Sequence, residues 1–186
     1  LFTSNAESPG NAIIGDSIKF SLTLVTPETN LIVKPTVFNS KPLVWTTTDG
    51  SEYTSFYKVQ EGDSEHETPL QLGMVILSDN AGNADTTEYL SIQKSIFTRY
   101  PTARITGSTI KCDYGQTVPI VFQFTGRTPF SLTYNNGTDN IGPVPVDAYN
   151  YIINELSGTF TLVNLTDFTG NFVTSALENP TITVSP

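Results

Sequence analysis

Cysteine is nearly absent from this chain. Cys112 stands alone among 186 residues, so the fold has neither an intrachain disulfide nor a cysteine-based zinc cluster to draw on. Histidine is as scarce. His66 is the single example and lies in the acidic run "EGDSEHETP", where a solvated loop residue is expected and a Ser-His-Asp triad would rest on one poorly placed base. Positive charge is also short: nine Lys and Arg against eighteen Asp and Glu leave a net charge of −9. Such a surface repels a phosphate backbone, and nucleic-acid binding is not expected. No apolar run approaches the roughly 20 residues that span a bilayer as a helix, so direct membrane insertion is not expected either. The opening "LFTSNAESPG" has no initiating Met and no charged-then-apolar leader, and reads as a mature protein or as a piece of a longer one. A helix-period apolar stripe of useful length is missing too. "HETPLQLGMVIL" comes nearest, but Pro69, Gly73 and its β-branched residues point to strand.

What remains is period-two patterning in a chain that should fold. Hydrophobic residues make up 38% and aromatic residues 11%, against 15% charged, a balance unlike that of disordered segments. "SIKFSLTLV" sets Ile18, Phe20, Leu22 and Leu24 on one face, and "VPIVFQF" does the same with Val118, Ile120, Phe122 and Phe124. Each strand follows a Gly-bearing lead-in, "IIGDS" and "CDYGQT". The echo predicts two copies of one architecture: residues 1–98, a short linker at 99–102 within "TRYPTA", and residues 103–186. Pro101 in that linker interrupts pairing and favours extended backbone. A stiff linker favours a rod of domains. In the first copy a hairpin is predicted from Leu43 to Val59 around Asp49-Gly50. In the second, a turn is predicted at Asn136-Gly137, with strands in "AYNYII", "GTFTLVNL" and "PTITV". Short strands at about 8–12-residue spacing indicate an all-β chain of two tandem antiparallel β-sandwiches.

These segments carry a resemblance. "GDSIKFSLTL", "KPTVFNSKPLVWTTTDGSEYTSFYKVQEGD" and "LSDNAGNAD" resemble the bacterial Ig-like repeats of large surface proteins. "ITGSTIKCDYGQTVPIVFQFTGRTPFSLTYNNG", "YNYIINELSGTFTLVNLTD" and "PTITV" are similar to Ig-like repeats of secreted Bacteroidota proteins, the adhesin type among them. Related repeats also occur on the lumenal side of a nuclear pore membrane glycoprotein. The resemblance covers nearly the whole chain. It implies immunoglobulin-like sandwiches at the cell surface or outside the cell, in adhesins, in filaments, or as spacers in secreted enzymes. Many relatives of the second repeat pair the cysteine matching Cys112 with one near the turn that here reads Gly170-Asn171. The partner is missing, which implies that Cys112 is a small buried apolar residue.

Few residues point to chemistry, and no enzyme is expected. Asp79 and Asp85 flank "NAGNA", and Asp16, Asp49, Glu61 and Asp63 lie in other loops. Hard oxygen donors of this kind suit calcium if loops meet at one end of a sandwich, and Asp79 and Asp85 are the candidate ligands. The spacing does not match the twelve-residue calcium loop, and Asp and Asn beside Gly are ordinary turn formers, the favoured reading. No other cofactor is implied. Asn136 and Asn164 begin formal N-glycosylation triplets, and Asp16-Ser17-Ile18 matches a short O-glycosylation motif. Trp45, Tyr53, Phe56, Tyr57, Tyr149 and Tyr151 could stack on sugars if exposed, with core packing the default.

The expectation is therefore a non-catalytic structural or adhesive module, secreted or surface-displayed. Its partners would be neighbouring Ig-like modules or identical subunits, and a glycan or cell-surface protein. One alternative is a carbohydrate-binding or spacer module of a secreted glycosidase. Another is an extracellular filament subunit that donates its "LFTSN" or "PTITV" segment to a neighbour's sheet.

Overall fold

The computed structural model describes residues 2–5, 10–34, 36–68, 70–87, 90–91, 94–106, 110–111, 115–177 and 181–185. Every regular element among them is a β-strand. The chain divides into two compact units, residues 1–98 and 99–186. Cys112 lies outside the described residues.

In the first unit the alternation of "SIKFSLTL" produces the central strand Ser17–Leu24, with Ile18, Phe20 and Leu22 buried and Leu24 packed at the core's margin. Phe2–Asn5 pairs with it on one side and Glu52–Lys58 on the other, with Thr46–Thr47 beyond, in a four-stranded antiparallel sheet. The other layer is built from short pieces. Ile76–Ser78 pairs with both Ile32–Val33 and Ala84–Thr86, and the same hairpin continues as Gln71–Leu72 against Leu90–Ser91. Thr36–Phe38 folds back on Lys41–Leu43, and Gly10–Ala12 runs parallel to Lys94–Ile96. Apolar faces of both layers meet in one core, where Phe38 stands edge-on to Phe20 and Tyr57 at 5.0 and 5.1 Å between ring centroids, the geometry that aromatic quadrupoles favour.

The second unit repeats the plan with longer strands. Val118–Thr125 lies between Thr102–Thr106 and Asn150–Glu155, and its inward Val118, Ile120, Phe122 and Phe124 are buried as the pattern predicts. The facing sheet has six strands. Ile110–Lys111, Thr181–Ser185, Gly158–Thr166, Phe130–Asn135 and Asn140–Val146 lie in that order, and Phe172–Val173 pairs with Gly158–Thr166. Phe122, Leu132, Phe160 and Leu165 fill the core between the layers.

Three expectations change. The Leu43–Val59 hairpin is made by Thr46–Thr47 and Glu52–Lys58, while Leu43 belongs to Lys41–Leu43, which pairs with Thr36–Phe38 in a separate two-stranded sheet. Asn140–Val146, "NIGPVPV", is a strand the sequence reading passed over because prolines break interior strands. It lies at the edge of its sheet, where Pro143 and Pro145 need no outward N–H and leave the edge blunted. Both proposed donor segments are also occupied. Phe2–Asn5 pairs with Ser17–Leu24, and Thr181–Ser185 pairs with Gly158–Thr166 and Ile110–Lys111, so neither is free to complete a neighbour's sheet.

Candidate functional site

Three loop regions concentrate side chains that could act outside the cores. The first two belong to the first unit.

At one end of that unit, the chain after Ser17–Leu24 and the hairpin loop after Ile76–Ser78 enclose a cleft of about 410 Å³. Its floor is apolar, with Leu24, Leu31 and Leu77, and its rim carries Glu28, Asp79 and Asp85. Both calcium candidates therefore line the same cleft. Asp79, however, is committed to its own turn: its two oxygens accept the Asn83 backbone N–H and side-chain amide at 2.8 Å each. The Asn83 side-chain bond in particular holds its pKa below 3.8. Asp85 accepts the N–H of Thr86. Among the described residues, no group of three or more His, Cys, Asp or Glu is placed to hold a metal ion. Asp16 and Asp49 likewise close turns, accepting N–H groups of Ile13 and of Ser51 and Glu52.

Asp63 does something different. It is the hub of a polar cluster that joins the Asn39-Ser40 turn to the loop after Glu52–Lys58. The Tyr57 hydroxyl and the Gln60 N–H donate to its Oδ2 at 2.7 and 3.0 Å, and Lys41 Nζ stands 2.7 Å from its Oδ1. Asn39 donates to the Tyr57 oxygen and to the Ser64 carbonyl, and its own carbonyl meets His66 Nε2 at 3.0 Å. Burial pushes the Asp63 pKa up, but hydrogen bonds from Lys41, Tyr57 and Gln60 outweigh it and leave the group below 3.8. Burial, reinforced by the Asp63 carboxylate, drives the Tyr57 phenol well above its ordinary value. His66 is thus not a solvated loop residue: its backbone bridges Ile96 and its ring is tied to Asn39. The sequence showed an acidic loop; the fold supplies the tyrosine and lysine that bind it. Every polar group in this cluster faces another, which makes it a structural clamp.

The third region is in the second unit, on the outward face of the six-stranded sheet. Phe130 and Leu132 are buried, so Ser131 between them points outward. Register places Pro145, Ser131, Thr166 and Phe172 side by side across four strands. Beside this row is a groove of about 460 Å³ walled by Pro129, Pro143, Pro145 and Phe168, with Ser131 and Thr166 at its floor. Phe168 is 60% exposed. Its loop, "TDFTGN", is by contrast locked: Asp167, Thr169 and Asn171 on either side of it are all buried. The Asp167 carboxylate accepts the N–H groups of Thr169 and Arg127 and the Thr169 hydroxyl, while Thr169 Oγ1 accepts from the Asn171 backbone and amide. The Phe168 N–H itself donates to the Arg127 carbonyl at 2.9 Å. Gly126 makes room for this closure, since a Cβ there would stand 3.0 Å from both the Asp167 carboxylate and Pro101.

Phe168 and Phe172 were not singled out in the sequence, because an exposed aromatic looks like a core aromatic when the loop geometry is unknown. The signal available was "D-F-T-G-N", a turn-forming frame around one apolar residue. The aromatics that were singled out divide. Tyr53 and Tyr57 are buried, Trp45 packs on the core and donates to Thr36 Oγ1, and Tyr151 is half-buried beside Phe122 and Tyr134. Phe56 and Tyr149 are exposed, Tyr149 standing edge-on to Phe130. Both glycosylation asparagines have structural bonds: Asn136 accepts the N–H groups of Thr138 and Asp139, and Asn164 donates to Thr166.

Comparison with known proteins bears on the fold. The I67–I69 fragment of the titin I-band matches 100% of this chain with a TM-score of 0.54 at 11% identity, and the chain spans 66% of that fragment. Both units are immunoglobulin-like. The human OSCAR ligand-binding domain is matched over 100% of this chain and 96% of its own, at 8% identity and a TM-score of 0.34. A Bacteroides ovatus SGBP-B from a mixed-linkage glucan utilization locus, in complex with a mixed-linkage heptasaccharide, is matched over 94% of this chain and 42% of its own, at 11% identity and a TM-score of 0.28. No protein-family profile and no curated protein sequence matches the chain.

Proposed function

We propose that this chain is a non-catalytic, adhesive pair of Ig-like modules from a secreted or surface-displayed bacterial protein, and that its second unit carries the binding face. The observation behind this reading is Phe168. Burying a phenylalanine contributes about 1.5–3 kcal/mol to a fold, yet here a loop fixed by three buried polar residues holds the ring out in solvent beside a groove. A rigid, exposed aromatic next to a concave, mostly apolar wall suits an interaction surface, because little conformational entropy is lost when a partner lands on it. In the first unit the polar residues with the most partners serve the fold instead, which suits a module whose role is to support and space.

The test is exposure of the chain on intact cells of its source, by brief surface proteolysis followed by peptide mass spectrometry. Release of peptides from both units before any cytoplasmic marker is expected. Retention of all peptides inside the cell until lysis would overturn the reading.

A further inference from the structure

The groove beside Phe168 has a chemistry that selects its occupant. Its walls are proline rings and one phenyl ring, and its floor offers the hydroxyls of Ser131 and Thr166. Asp167 is the one ionisable side chain in its lining, and that carboxylate is buried and satisfied by Thr169 and by the Arg127 N–H. In a chain of net charge −9, none of the described residues lining the groove supplies a cation to hold a phosphate, sulfate or uronate, and the Asp167 oxygens are engaged by neutral donors rather than open to a lysine or arginine.

Resting on the reading of this groove as the binding face, we propose that it takes an uncharged pyranose chain with equatorial hydroxyls, the glucan or xylan class. Such a ring presents axial C–H groups on its faces and hydroxyls around its rim. The C–H face carries a weak positive potential and lies on the negative face of the Phe168 ring. Rim hydroxyls both donate and accept, as do the Ser131 and Thr166 hydroxyls below them. A volume of about 460 Å³ falls within the ~300–1,000 Å³ typical of small-ligand sites. Phe172, next to Thr166 on the neighbouring strand and 53% exposed, extends the apolar surface beyond the first ring. A proline-rich peptide is the competing occupant. It would meet a wall of proline rings with Phe168 as the one exposed aromatic of the lining and no indole or phenol donor there, whereas such peptides dock in aromatic-lined grooves.

The experiment is calorimetric titration of the intact chain with cellohexaose, laminarihexaose and xylohexaose, with decaproline as the contrast, alongside Phe168→Ala and Ser131→Ala/Thr166→Val chains whose melting is checked first. Saturable binding of at least one neutral hexasaccharide is expected, unchanged by added salt, weakened at least about tenfold in Phe168→Ala, the order of a lost aromatic stack, and weakened less in the hydroxyl variant. Binding of none of the three sugars, or binding that Phe168→Ala leaves intact, overturns the saccharide assignment. Decaproline bound in place of the sugars, and lost in Phe168→Ala, overturns the saccharide and leaves the groove as the binding face. Surface exposure is measured independently, so either reading can fail without the other.

Discussion

The two units solve one problem, fixing a loop against a sheet, with opposite polar strategies. The first unit uses charge: Asp63 gathers a lysine, a phenol and an N–H, and the Asn39 and His66 side chains lock in behind them. The second uses a buried carboxylate that accepts from backbone N–H groups and a threonine hydroxyl, and places an exposed aromatic at the tip. The difference is instructive because the inner cores are alike. Sheet packing sets the common scaffold, and the loops decide whether polar chemistry is turned inward for stability or frames a surface.

The largest effects should come where the units agree. Phe20→Ala and Phe122→Ala each remove a fully buried ring, and each should lower stability by about 3–5 kcal/mol in urea denaturation. Trp45, the single tryptophan, reports the first of these by fluorescence. A loss for one ring much smaller than for the other would show that the two cores are not equivalent.

Asp63→Ala breaks the first unit's clamp and should cost about 1–3 kcal/mol, since it leaves the buried Tyr57 hydroxyl without its acceptor, while Lys41, partly exposed, keeps Gln60. The pH dependence has a definite sign. The Asp63 pKa is lowered in the folded chain, so its contribution is complete above the unfolded carboxylate pKa of about 3.9 and fades as pH falls through the folded value. Wild-type and Asp63→Ala melting curves should therefore converge on acidification below about pH 4, and a constant gap down to pH 2 would remove Asp63 as the source.

Gly126→Ala probes the second unit's loop. With φ at +124° and the Asp167 carboxylate and Pro101 each 3.0 Å from the added Cβ, a loss of about 1–3 kcal/mol is expected in thermal melts. The smallest effect has the opposite sign. Ser55 is buried at the centre of the first core, and its hydroxyl has no partner among the described residues. Ser55→Ala should therefore raise the first unit's stability by about 1 kcal/mol, read again at Trp45.

Much of the architecture was legible because inward side chains recur every second residue. Ile18-Phe20-Leu22 and Val118-Ile120-Phe122-Phe124 announced the two central strands, and Asn136-Gly137 announced a turn. Asn140–Val146 was hidden because proline disfavours interior strands and only the sheet order reveals an edge. The candidate site was less legible. Asp79 and Asp85 do share a cleft, but hydrogen bonds within their own turn absorb Asp79, and sequence spacing does not encode that competition. Phe168 needed the opposite information: its neighbours, rather than the phenylalanine, are the buried residues.

The proline-blunted edge at Asn140–Val146 also bears on how such a chain folds. Two similar sandwiches on one polypeptide keep each other's unpaired strands at high local concentration during synthesis, the condition under which strands exchange between domains and misassembled pairs become trapped. Pro143 and Pro145 sit at the rim of the larger sheet and remove donors that an incoming strand would need. The residues that wall the groove thus also insulate the sheet, so replacing them would be expected to raise the rate of misfolding.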